Sequence, residues 1–220
     1  MPADLIVRIL NDVKRWDKPP EEIVPVNYGE FLLRKDWLWI LQMINNLLPN
    51  TVIVLPTNGS LIKGDVIGEL CGVPSLRIIN FSINALYDET YESFMGLPAS
   101  NMAQIEETIK EIKNKRPDMV VVASMVFDPM YSTDEERDNF YYYWKDKAIP
   151  QIIAAASARR PEKKPCNPVL IPCRSIFSDI VVGYDGKLSS CCWDSAFSLN
   201  LGYYSGDLLK DWRNPQLEEL

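Results

Sequence analysis

The spacing of apolar positions changes period repeatedly along the chain, and the changes outline its elements. In 3–16, ADLIVRILNDVKRW, Ile6, Ile9, Leu10, Val13 and Trp16 recur on one helical face, and DKPP ends the helix. EEIVPVN (21–27) has the length and apolar content of a short buried strand. Asp36 is placed to N-cap a helix over 37–48, WLWILQMINNLL. TVIVLPT (51–57) predicts the next strand, closed by NGS, and GDVIGELCG (64–72) a helix. SLRIINFSI (75–83) is a strand rich in β-branched residues. A short helical segment follows at 87–96, then a long helix at 101–115 with Ile105, Ile109 and Ile112 on one face. DMVVVASMVF (118–127) is the clearest strand of the chain. STDEERDNFYYYWKDKA (132–148) is a helix opened by a Ser-Thr-Asp cap signal, and PQIIAAAS (150–157) a last strand.

Helices and strands therefore alternate, α-β-α-β-α-β-α-β-α-β. That order predicts βαβ units and a parallel sheet, open or closed toward a barrel. A βα sheet ordinarily begins on a strand, whereas this one opens on a helix. The expectation drawn from this is that a first strand and the loop after it are missing. Near residue 156 the character changes. SARRPEKKPCNP (157–168) is a proline- and charge-rich linker, and two short strands then flank YDGK, whose Asp-Gly favours a tight hairpin turn. The predicted organisation is an α/β partial (β/α) barrel over 1–156 with a small, hairpin-containing, cysteine-rich unit over 157–220.

Composition narrows the chemistry. At 220 residues the chain is long enough for one domain and an appendage. Its 47% apolar and 24% charged content is that of a globular protein. The net charge of −7 argues against a nucleic-acid partner held by a basic face, and ASARRPEKKP (156–165) is read as solvated linker. No apolar run approaches the ~18 residues of a membrane span. MPADLIVRIL does not have the build of a signal peptide. A cytoplasmic location is expected, where cysteines are ligands, catalysts or core rather than disulfides. The chain has no histidine, which excludes Ser-His-Asp and Cys-His nucleophile systems and His-ligated metals. Carboxylate, lysine, tyrosine and thiolate chemistry remain, or a cofactor that carries the hard step.

Two constellations stand out. Four of the five cysteines, Cys166, Cys173, Cys191 and Cys192, fall in the small C-terminal unit. A hairpin would bring Cys173 and Cys191 together at its open end, while Cys192 would face the other way from an extended strand. Such a thiolate set suits an iron–sulfur cluster or a Cys₄ zinc site; the plainer alternative is core packing, which is the reading for the isolated Cys71. The second constellation is the row of polar strand ends: Gly29-Glu30, Thr57-Asn58-Gly59, then Ser82 and Asn84. In parallel α/β folds the carboxyl ends of the strands line the ligand site. The aromatic run NFYYYWKD (139–146) reads as helix core plus rim.

In their order, these motifs resemble the radical S-adenosylmethionine (radical SAM) superfamily with a SPASM/twitch-type auxiliary unit. VNYGEFLLRKD is similar to that family's Gly-Glu-Pro-Leu loop, with Phe31 where proline is usual. LPTNGSLI resembles its Thr-Asn-Gly strand end, and FSINALYDETYESFMG its ribose-contacting segment. PCRSIFSDIVVGYDGKLSSCCWD fits the Cys-x(9–15)-Gly-x(4)-Cys opening of the auxiliary unit. LGYYSGDLLKDWRNPQLEEL is similar to its close, with Tyr203 where asparagine is common.

The resemblance implies S-adenosylmethionine and a [4Fe–4S] cluster as cofactors. It implies cofactor contacts at Gly29, Glu30, Thr57, Asn58, Ser82 and Asn84, with Glu30 accepting from the methionine ammonium and Ser82 and Asn84 approaching the ribose. It implies Cys173 and Cys191, joined by Cys192 and Cys166, as metal ligands. The implied partners are a peptide, protein or small-molecule substrate and an external electron donor. One departure is plain: no cysteine precedes Cys71, so the family's Cys-x3-Cys-x2-Cys loop is absent. The chain is therefore expected to be a truncated enzyme, inactive alone. The competing reading is a non-catalytic α/β binding protein that keeps one cluster or zinc site. A [4Fe–4S] protein absorbs in the visible, whereas zinc is silent.

Overall fold

A computed structural model describes residues 1–154, 175–199 and 201–213. The chain forms two compact units, Glu22–Pro165 and, separately, Met1–Glu21 together with Cys166–Leu220.

The first of these, the sheet unit, carries five parallel strands in the order β1-β2-β3-β4-β5. They are β1 (Glu22–Ile23), β2 (Val52–Thr57), β3 (Leu76–Ser82), β4 (Val120–Phe127) and β5 (Ile149–Ala154). Between them run α2 (Trp37–Leu47), α3 (Asp65–Cys71), α4 (Asp88–Met95), α5 (Ser100–Lys115) and α6 (Asp134–Trp144). When consecutive parallel strands lie side by side, right-handed crossovers place every helix on the same face of the sheet. This is the arrangement of a section of a (β/α) barrel, as the alternating sequence implies. Burial follows the period of two. Ile53, Leu55, Ile79, Phe81, Ala123 and Met125 are wholly buried under the helices. Their neighbours Val52, Val54, Pro56, Ile78, Asn80, Ser82, Val122 and Val126 are only half-buried on the other face. Ile105, Ile109 and Ile112 of α5 are buried as their spacing requires. In α6 the aromatic run splits as expected, with Phe140 and Trp144 in the core and Tyr141, Tyr142 and Tyr143 exposed.

Two local expectations do not hold. The strand expected at 21–27 is confined to Glu22–Ile23, because Pro25 has no N–H to continue the ladder. Asp36 does stand at the N-cap of α2, but its side chain makes no cap bond. Its carboxylate instead accepts from Arg34 Nε and Nη2 at 3.0 and 2.8 Å, and these bonds hold its pKa below the ordinary value. The cap signal of α6, by contrast, behaves as written: Thr133 Oγ1 accepts from the Glu136 N–H at 3.1 Å.

The second unit, the hairpin unit, is built on β6 (Val181–Val182) and β7 (Leu188–Ser189), antiparallel about a turn in which Gly186 sits at φ +89°. The left-handed backbone there explains the glycine of the Asp-Gly pair. A segment not anticipated from sequence, 201–204, runs alongside β7. Leu188 N–H donates to Gly202 O, Leu201 N–H to Leu188 O, and Tyr204 N–H to Gly186 O. α7 (Ser175–Ser178) precedes the hairpin, and α8 (Leu208–Trp212) follows it.

The first helix, α1 (Ala3–Val13), belongs to this unit and not to the sheet that follows it in sequence. Its buried side is Leu5, Leu10, Asp12 and Val13, a face rotated from the one expected, and it ends at Val13 rather than Trp16. The reason is Asp12. Its Oδ2 accepts from the Leu208 N–H at the start of α8, 2.7 Å away, and its Oδ1 from Arg15 at 3.0 Å. The partner that buries this carboxylate is remote in sequence, so helical periodicity could not reveal it.

No helix among the described residues is long and apolar enough to cross a membrane.

Candidate functional site

The carboxyl ends of β1 and β2 are joined by hydrogen bonds to one carboxylate, with the end of β3 next in the sheet. Glu30 leads out of the loop after β1 and caps the 3₁₀ turn Phe31–Leu33, accepting from the Leu32 N–H through Oε1 at 3.1 Å. Its Oε2 reaches the end of β2, where it accepts from Thr57 Oγ1 at 3.0 Å and from the Asn58 N–H at 2.8 Å. A carboxylate has about four acceptor directions. Three are occupied by donors that fix its orientation, which leaves one for an outside donor. Gly29, just before it, adopts φ +86°, with open space where a Cβ would point.

Thr57 and Asn58 organise the turn that receives Glu30. Thr57 Oγ1 accepts from the Gly59 N–H at 3.0 Å, and Asn58 Oδ1 accepts from the N–H and hydroxyl of Ser60. Gly59 has φ +75°, and a Cβ there would lie 2.8 Å from Ile105 and 2.9 Å from Phe81. The glycine of the Thr-Asn-Gly motif is thus required by both backbone and packing. Behind the turn, the Asn101 amide of α5 donates to Asn58 O at 3.3 Å and to the buried Tyr91 hydroxyl. Burial raises the Tyr91 pKa, against the opposing hydrogen bond from Asn101, so the phenol stays protonated.

Ser82 ends β3 on the helix-free face, in register with Ser124 of β4, which is in turn in register with Gln151 of β5. Ser124 Oγ turns back to Phe81 O at 3.3 Å. Asn84 has a different place. It is 8% exposed, adopts φ +64°, accepts from the Val126 N–H through Oδ1 at 2.8 Å, and directs Nδ2 at Met95 Sδ. Its amide ties the loop after β3 to β4 and α4. Sequence reasoning missed Asn80, two residues before Ser82 on the same face, whose Oδ1 is buried without a partner among the described residues. An asparagine inside the apolar run RIINFSI was the available signal. It also missed Glu136, buried at 2% exposure, whose carboxylate accepts from the N–H groups of Leu86 and Tyr87 and from Thr90 Oγ1.

In the hairpin unit, Cys191 and Cys192 follow β7 and are half-buried. Their loop is gathered by Asp194, whose carboxylate accepts from the N–H groups of Ser198 and Leu199 and from the hydroxyls of Ser198 and Ser189. Burial alone would raise the Asp194 pKa, but these donors outweigh it and the pKa is lowered. Cys166 and Cys173, the other expected ligands, lie outside the described residues. Among the described residues no three cysteine or acidic side chains form a metal-holding group. Cys71 ends α3, half-buried, with its pKa raised by burial, which suits packing.

No known protein family and no curated protein matches this chain. Solved structures do. The structure of native anSMEcpe with bound AdoMet matches at a TM-score of 0.71 and 15% identity, over 100% of this chain and 73% of that one. The same protein with bound AdoMet and the Kp18Cys peptide matches at 0.63 and 14%, over 100% and 74%. BtrN in complex with AdoMet and 2-DOIA matches at 0.57 and 13%, over 100% and 72%. The chain therefore shares its fold with proteins seen holding AdoMet.

Proposed function

We propose that the sheet unit is an S-adenosylmethionine-binding body of the radical SAM type, acting on a peptide, protein or small-molecule substrate. The observation that carries the proposal is the Glu30 cradle. A carboxylate fixed by Leu32, Thr57 and Asn58, with one acceptor direction left, stands where strand ends line ligand sites. It suits the ammonium of a bound methionine moiety, a charge-assisted bond. Gly29 gives the ligand close backbone access, and Ser82 offers a hydroxyl to the ribose from the helix-free face. Thr57 and Asn58 hold Glu30 in place. Asn84, whose amide is engaged internally, positions the loop that follows Ser82. The shared fold with AdoMet-bound structures supports the same reading.

Cys173, Cys191, Cys192 and Cys166 are proposed to hold an auxiliary [4Fe–4S] cluster, with the Asp194-ordered loop presenting Cys191 and Cys192. The radical SAM reading calls for a separate cluster that, when bound, would supply an electron to the sulfonium of S-adenosylmethionine. The cysteines of this chain do not fit that cluster's Cys-x3-Cys-x2-Cys pattern, since Cys71 is the first and stands alone. The proposal therefore rests on binding and positioning.

Titration calorimetry of the full chain with S-adenosylmethionine tests it. The wild-type chain is expected to bind, Glu30→Gln to weaken binding about tenfold or more, and Ser82→Ala a few-fold. Absence of binding, or affinity unchanged in both variants, overturns the site.

A further inference from the structure

The carboxyl ends of β3 and β4 bear a rim that the cofactor site does not use. α4 and the loop after β4 meet there through Phe94 and Tyr131, whose rings pack edge to face with centroids 5.0 Å apart. Asn139 of α6 joins the rim by donating to the Tyr87 hydroxyl at 3.0 Å, and Glu136 pins the backbone of Leu86 and Tyr87 from below. On this braced platform Tyr87, Met130 and Tyr131 remain 43%, 68% and 47% exposed. Large apolar and aromatic side chains open to solvent are the kind enriched at protein interfaces.

The two segments that carry them bear charge of one sign. No lysine or arginine occurs between Arg77 and Lys110, nor between Arg116 and Arg137. The acids include Asp88 and Glu89 on the first turn of α4 and Glu135 on the first turn of α6, all exposed. The single base at the edge, Arg137, is taken up by Asp134 and Asp138 and lies over the Phe127 ring. Favourable placement at helix N-termini accounts for acids in first turns. It does not account for the lack of any base over both segments, nor for the exposed aromatic platform between them.

We propose that this rim docks a cationic segment of a peptide or protein substrate, one in which lysine or arginine alternates with apolar residues. The apolar side chains would lie on Tyr87, Met130 and Tyr131, and the cations would meet Asp88, Glu89 and Glu135 or the tyrosine faces. α4 alone offers a track of about 12 Å, enough for several extended residues. The same charge repels nucleic acid and anionic membranes. The inference rests on the reading above that the strand ends house the chemistry, and it narrows the substrate class.

The test uses the full chain and a fluorescent synthetic peptide of alternating lysine and leucine, with a glutamate–leucine peptide as counterpart. Fluorescence anisotropy is read at about 50 mM and about 300 mM salt. The lysine peptide is expected to bind, more weakly at high salt, and the glutamate peptide not to bind. The double variant Asp88→Lys with Glu89→Lys is expected to weaken binding about tenfold. Glu107→Lys with Glu111→Lys on α5 makes the same change in net charge away from the rim, and is expected to alter binding less than about threefold. Tyr131→Ser is expected to cost a few-fold without removing the salt dependence. Equal loss from both double variants, or equal binding of both peptides, overturns the proposal. S-adenosylmethionine affinity, measured on the same proteins, separates the two readings. Peptide binding lost with cofactor binding kept in the wild-type chain refutes the rim alone. The reverse leaves the rim standing and refutes the cofactor site.

Discussion

The sheet unit and the hairpin unit are held together in different ways. In the sheet unit a continuous apolar layer, with Leu55, Ile79, Phe81, Ile105 and Ala123 all wholly buried, lies between five strands and their helices. The hairpin unit has two-residue strands and few wholly buried large side chains among the described residues, Leu188 chief among them. There carboxylates collect backbone N–H groups without such a layer beside them: Asp12 from Leu208, Asp194 from Ser198 and Leu199, and Asp211 from Ser205; Glu30 and Glu136 do the same in the sheet unit, but next to its apolar layer. A large core buries enough area to stabilise through packing. A small unit cannot, and stands more on directed hydrogen bonds that an apolar count would not reveal.

The contrast can be tested by breaking each mode. The largest effect is expected from Phe81→Ala in the sheet unit, which removes a wholly buried ring and leaves a cavity against Ile105; a loss of about 3–5 kcal/mol should appear in urea unfolding. A middle effect is expected from Asp194→Asn, about 1–2 kcal/mol, measured as loss of amide-exchange protection in 191–199 while the sheet strands stay protected. Because the folded pKa of Asp194 is lowered, its contribution is full above the ordinary aspartate value and is lost as pH falls through the folded value. Acid should therefore loosen this loop in the wild-type chain and have less effect on the asparagine variant. The smallest effect is expected from Asp118→Asn. It removes the bridges to Arg77, half-exposed on both sides, and to Arg116, whose guanidinium still donates to the Val73 and Pro74 carbonyls, and should change stability by less than about 1 kcal/mol. Equal sensitivity of the two units to the first two changes would erase the distinction.

The order of elements was legible because it rests on local periodicity. Strands near 52–57, 76–82, 120–127 and 149–154 fall where alternation and β-branching place them. The cap at Thr133 and the turn glycine at Gly186 were legible for the same reason. What escaped depends on partners far along the chain. Asp36 is diverted by Arg34, Asp12 is drawn inward by Leu208, and Glu136 pins a loop fifty residues before it. At the candidate site, the polar strand ends could be picked out from sequence. That Glu30 joins two of them, and that Asn84 turns inward to Val126, required the three-dimensional arrangement.

The pairing of Asp12 with Leu208 spans 196 residues, and it also bears on how the molecule is made. A ribosome adding about 5–20 residues per second releases α1 well before α8 exists. During that interval α1 is an amphipathic helix with no partner of its own unit. The sheet unit, whose neighbouring strands follow one another in sequence, can assemble meanwhile from short-range contacts. The hairpin unit closes last, once both of its sequence segments exist. This makes the nascent α1 the stretch most in need of shielding until synthesis reaches Leu208.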